Sequence, residues 1–301
     1  MRPLWLLLFA ALLPVSANVR AEVPTVTVRG LSVNFSPFTV AATPGEHVSL
    51  EVAHDYSAVL NNTPQRNPSP GHWLIKAPTA PGLYSLIVSN GADSTMEINF
   101  FVTTPASKVQ RGLLNGYRIG PPPPGHKTYP ELYRAPAGFI EVTEELLDVS
   151  LSPHITLRQI LCKQASDYPK YVVIKESLLV LLEGLLETIQ QRGYPAVTFG
   201  VISTYRTPWY NKTIGNVPNS RHVYGDAMDL FIDLDSDGKM DDLNRDGVHN
   251  RDDVDLLANL AEEFMSRPEN RSVYGGVGRY GKTHRHGGFV HVDTRGYAAR
   301  W

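Results

Sequence analysis

Ten residues, Ser220 to Asp229 (SRHVYGDAMD), set a histidine, a glycine and two aspartates among apolar neighbours. Histidine nitrogen and aspartate oxygen are donors that zinc accepts. His222 and Asp229 are seven residues apart, and Gly225 between them permits a close approach of the backbone. At the strand-like end, Ala227 and Asp229 share one face while Met228 and Leu230 take the other. Two donors are also what an ordinary polar turn offers. A third comes from FVHVDTRG, which puts His291 and Asp293 on one face of a strand and Val290 and Val292 on the other. An inward polar pair on a buried strand is costly unless it is satisfied, and a metal satisfies it. Two histidines and one aspartate leave a fourth zinc position for water, which is the catalytic arrangement rather than the closed structural one.

Residues 233–253 carry a second signal. From Asp242, oxygen donors fall at Asp242, Asn244, Asp246, the Val248 carbonyl, Asn250 and Asp253, with Gly247 at the sixth place. This matches a twelve-residue calcium loop followed by a helix. Asp in place of Glu at the last position resembles dockerin-type loops. An overlapping repeat, Asp233-x-Asp235-x-Asp237-Gly238, has Asn244 at its twelfth place and is the weaker of the two as an independent site. Crowded aspartates repel one another without a cation. The alternative is a solvated acidic loop. Calcium here is expected to be structural, folding the chain just after Asp229 and holding one side of the zinc site.

The elements that must position these residues are legible in outline. Residues 22–105 contain TVTVRGLSVNF, HVSLEVAH, HWLIKAP, YSLIVSN and MEINFFVTT, short runs divided by turn clusters. They predict an all-β, immunoglobulin-like sandwich without a catalytic cluster. Residues 106–135 hold GPPPPGHKTYP, a stiff linker or a loop wrapped over the next domain. Residues 136–301 predict an α+β domain with a small, mainly antiparallel sheet. PHITLRQILCKQ reads as a short helix, Lys170 to Tyr194 as a long one ending at Gly193, and DVDLLANLAEEFMSR as another. AVTFGVIST and GGFVHVDTRG read as strands.

Bulk properties narrow the function. The chain has 301 residues, 42% hydrophobic and 19% charged, with a net charge of −2. That is ordinary globular composition, and no basic excess points to nucleic acid. Arg2, the apolar run Leu4 to Leu13 and small residues at Val15-Ser16-Ala17 or Val19-Arg20-Ala21 read as an export signal over residues 1–21. The run is too short for a comfortable membrane span. The single cysteine, Cys162, allows no internal disulfide and reads as a buried core thiol.

Ser220-x-His222-x-x-Gly225-x-Ala227-x-Asp229, followed by a strand bearing His291, resembles the zinc D-alanyl-D-alanine carboxypeptidase family, with its lysostaphin-type and hedgehog relatives. ISTYRTPWYN resembles that family's segment ahead of the first ligand, and HVDTRGYAARW resembles a bacterial cell-wall branch. The likeness covers roughly residues 136–301. It implies zinc on His222, Asp229 and His291. It places Arg206 over a substrate carboxylate or a polarised carbonyl oxygen, which a guanidinium fork suits, a surface salt bridge being the plain alternative. It implies that a zinc-activated water cleaves peptidoglycan stem peptides, as a D-Ala carboxypeptidase or a murein endopeptidase, in the periplasm or outside the cell. A non-catalytic recognition module is the alternative. There is one departure: relatives carry a histidine two residues, or a glutamate three residues, before the last ligand, and here Phe289 and Gly288 stand there. The base is then sought in the loop, at His284 or, first, His286. Asp293 is the other candidate, as base or as the group that orients His291.

Overall fold

A computed structural model describes residues 22–91, 93–284 and 286–301. The expected export signal lies outside the described residues. Among the described residues, no helix is long and apolar enough to cross a membrane. The fold is β-rich. It has six sheets and four α-helices among the described residues: α1 (Leu157–Ile160), α2 (Glu176–Gln191), α3 (Pro208–Thr213) and α4 (Arg251–Ser266).

Two sheets form the front. One is antiparallel, in the order Leu31–Val33, Val26–Val28, His47–Glu51, His72–Lys76. Strict alternation in HVSLE and HWLIK turns Val48, Leu50, Trp73 and Ile75 inward and leaves the intervening residues in water. The other sheet runs Phe38–Ala42, Thr95–Val102, Gly82–Ser89, Ser57–Leu60, Thr63–Pro64. Phe38–Ala42 joins it in parallel. Inward residues of both sheets, such as Leu50 and Phe100, belong to one apolar core that continues into α2 and α4. Polar ties cross the same boundary. Thr39 Oγ1 donates to Leu151 O at 2.8 Å, and Arg29 Nη1 reaches Glu176 of α2 at 2.6 Å.

The proline-rich segment lies against the turn that carries His222. Trp209 N donates to Ile119 O at 2.9 Å, Tyr224 Oη to Pro124 O at 2.7 Å and Arg221 Nη1 to Leu132 O at 2.9 Å.

Two helical expectations need correction. The run from Lys170 divides: Lys170–Val172 pairs with Gly138–Val142, and the helix starts only at Glu176. Val172, Val173 and Ile174 are β-branched and suit an extended backbone. The helix then ends as expected, at Gly193 with a left-handed φ of 86°. PHITLRQILCKQ yields only the four residues of α1, closed at its start by a Thr156–Gln159 capping box. Cys162 is buried just beyond it. α2 and α4 meet at Gly184, where a Cβ would lie 2.2 Å from Phe264 Cζ.

The five-stranded sheet that carries Asp229 and His291 runs Gly200–Ser203, Ala227–Phe231, Phe289–Asp293, Gly276–Tyr280, Ala299–Arg300. The first three pairings are antiparallel and the last is parallel. Its register sets Asp229 directly opposite His291 and Ala227 opposite Asp293. α4 packs on Gly276–Tyr280 and Phe289–Asp293.

Candidate metal centre

His222 sits on the 3₁₀ turn Arg221–Tyr224, and Gly225 ends that turn at φ 74°. A Cβ there would lie 2.6 Å from Val173 O, so the close approach expected at this glycine is real and excludes any side chain. Neighbouring residues clamp the turn. Arg221 makes two hydrogen bonds to the fully buried carboxylate of Asp226, which Lys175 Nζ also reaches at 2.9 Å. The Arg221 guanidinium lies over Tyr133 at 4.4 Å. Neither Arg221 nor Asp226 stands out in the sequence as a functional residue, although both flank His222 inside the motif.

His222, Asp229 and His291 converge. His222 Nε2 lies 3.1 Å from Asp229 Oδ1 and 3.2 Å from His291 Nδ1, and His291 Nδ1 lies 2.8 Å from Asp229 Oδ1. The three residues are 2%, 4% and 5% exposed. A point about 1 Å above the plane of these atoms is about 2 Å from each, the usual zinc–ligand distance. The outward partners set the tautomers. His222 Nδ1 donates to Thr204 O at 2.6 Å, and His291 Nε2 donates to Asp293 Oδ2 at 2.9 Å. Each neutral imidazole therefore turns its lone pair inward, toward a carboxylate oxygen. Three buried acceptors facing one another need a cation or a proton between them. The group could hold a metal ion.

The electrostatics agree. Burial pushes the Asp229 carboxyl up, but His222 and His291 beside it hold it well below the usual carboxylate range. Burial lowers His222. Burial also works against charge on His291, yet the carboxylates of Asp229 and Asp293 raise it to about 9. Without a metal, the cluster thus carries its proton on His291.

Asp293 lies behind His291, across the ring from the converging atoms. Gly276 N and Arg295 occupy its oxygens, with Arg295 Nη2 at 2.5 Å. That is the place of an orienting group, the second of its two expected roles. Arg206 is 8% exposed and turned to Asp229 itself: Nη2 donates to Asp229 Oδ2 at 2.5 Å and Nε to Ser203 Oγ at 2.8 Å. It braces Asp229 so that Oδ1 faces the histidines. His286 contacts Gly287 O at 2.8 Å and the Phe289 ring at 4.9 Å, and neither is a ligand group. Lys163 carried no sequence signal. Burial lowers its pKa, the Arg206 charge adds to this, and Asp229 opposes it, so its ammonium lies within the field of the site.

The acidic insert forms two loops with one hydrogen-bond pattern. Asp237 N donates to Asp233 Oδ1 and Asp235 Oδ1, and Gly238 N to Asp233 Oδ2. Asp246 N donates to Asp242 Oδ1 and Asn244 Oδ1, and Gly247 N to Asp242 Oδ2. Lys239 N and Val248 N repeat the next bond, to Asp237 and Asp246. Carboxylate oxygens of Asp233, Asp235 and Asp237 cluster closely enough for one cation. Asp253 is buried and accepts from Leu243 N, Asn244 N and Asn250 N. Asn250 caps α4 through Asp252 N at 2.5 Å. Both residues expected as the last calcium ligands therefore also start the helix.

No family model, no curated protein and no solved structure matches this chain.

Proposed function

We propose that this chain is a zinc peptidase of the cell wall, hydrolysing peptide bonds in peptidoglycan stem peptides as a D-Ala carboxypeptidase or murein endopeptidase. In this reading the front is an immunoglobulin-like sandwich, the rear is a zinc-peptidase domain, calcium in the insert is structural, and the protein is exported. The observation that carries it is the convergence of two imidazole lone pairs and one carboxylate oxygen in a buried triangle, a three-donor cluster among the described residues. Zinc held there would supply Lewis acidity and lower the pKa of a water toward neutrality. Thr204 O and Asp293 hold the two rings in their ligating tautomers, and Arg206 fixes the carboxylate. His286 is the proton carrier in this reading, from the segment just before the strand Phe289–Asp293.

The second reading is a metal-bearing recognition module. Phe289 favours it, because it fills the place where a base would stand and stacks on Tyr280 at 4.6 Å.

The test incubates defined muropeptides with the zinc-loaded protein and with His291→Ala, reads products by mass spectrometry, and measures zinc per chain. Release of D-alanine or of a cross-link by the wild type alone supports the peptidase and names its bond. Bound zinc without cleavage selects the recognition module. Absence of zinc binding overturns both.

A further inference from the structure

Trp301 is 46% exposed, yet its indole lies 5.2 Å from the ring of the buried His291. It is seated there by the sheet. Gly278 stands opposite His291 in the register, and a Cβ on Gly278 would lie 2.5 Å from Trp301 Cε2 and Nε1. Only the missing side chain lets the indole lie down beside the metal-binding histidine. Trp301 O is fixed by Arg279 N at 2.9 Å, and Arg295 lies 5.2 Å from the ring. The indole N–H is already engaged, donating to Tyr280 Oη at 2.7 Å. Tyr280 is 37% exposed and stacks on Phe289 with 7° between the rings. An aromatic row therefore flanks His291 on the side away from Asp229, partly open to water, and the indole offers no free donor there.

We propose that Trp301 is a specificity-determining wall of the metal site, taking aliphatic C–H groups of the substrate residue beside the scissile bond. The inference rests on the peptidase reading. A large, rigid ring whose N–H is already engaged gains from apolar contact and from C–H groups over its face, and it offers an uncharged polar side chain no hydrogen bond; the cation its face would draw is already supplied by Arg295. Such contact is made equally in the bound and reacting states, so it belongs in KM.

The experiment uses the zinc-loaded full chain and the muropeptide that the wild type cleaves. Trp301→Ala is expected to raise KM about tenfold with kcat within about threefold, a pattern of lost uniform binding. Trp301→Phe should recover most of the loss. Gly278→Ala keeps the indole but displaces it, and should raise KM like Trp301→Ala. Zinc per chain, measured in each variant, should stay at the wild-type value. An unchanged KM in Trp301→Ala, or a loss that tracks zinc content, overturns the proposal while wild-type cleavage keeps the peptidase reading. A wild type that cleaves nothing removes that reading and this inference with it.

Discussion

His222 and His291 are pushed in opposite directions by one environment. Burial wins at His222, and two carboxylates win at His291, which they raise to about 9. By linkage, a raised group stabilises the metal-free fold fully below its unfolded value near 6.5, and that stability is lost as pH rises through about 9. Metal entry displaces the same proton, so apparent zinc affinity should climb across this window and level off above it. Titration calorimetry in buffers of different ionisation heat should show about one proton released at pH 7; no release would refute the assignment. Asp293→Asn should weaken zinc binding about 10–100-fold, as loss of an orienting carboxylate does, measured by competition with a chromogenic chelator. At this scale the converging donors were readable, because His222, Asp229 and His291 differ in type from apolar neighbours at strand and turn spacing. Their supporting partners were not. Thr204 acts through a backbone carbonyl, and Arg295 reaches Asp293 by a turn whose course no local pattern shows.

At the scale of elements, one close contact holds the turn of His222 and another joins α2 to α4. The Arg221–Asp226 pair clamps the turn of His222 and is out of water. Arg221→Met would leave a buried carboxylate with only Lys175, and should cost about 3–5 kcal/mol, read as a lower denaturation midpoint with an unchanged slope. Gly184→Ala is the converse case. Alanine is the better helix former, yet its methyl meets Phe264 at 2.2 Å, and overpacking should destabilise by about 1–3 kcal/mol. A gain in melting temperature would show that α4 yields there. The long helices were legible from their apolar spacing, and the end of α2 from Gly193. The strand Lys170–Val172 was hidden because it runs straight into a helical pattern. Phe38–Ala42 was hidden because its partner, Thr95–Val102, is far along the chain.

For the whole molecule, the front sheets and the sheet that carries Asp229 and His291 share one apolar core, and Arg29 ties Glu46 of the front to Glu176 of α2. Unfolding should therefore be a single transition by fluorescence and by circular dichroism; two separated transitions would show independent units. The acidic insert joins the strand Ala227–Phe231, which carries Asp229, to α4, so excess EGTA should lower the melting temperature, and an unchanged value would count against calcium there. The repeat was readable as spacing, but the sharing of Asp253 between loop and helix cap was not. The insert's two loops start nine residues apart and repeat the same bonds. The first also returns to its own beginning, where Asp241 N meets Ile232 O at 3.0 Å. A loop whose entrance and exit touch can be gained or lost as a bead on the chain. Excising residues 233–241 would join Ile232 directly to Asp242, which is the same residue type that follows Ile232 now. The excised unit would take with it Met240, which is buried in the core and whose carbonyl lies 3.0 Å from His249 Nδ1, so a change of length in whole units needs another apolar side chain brought to that place.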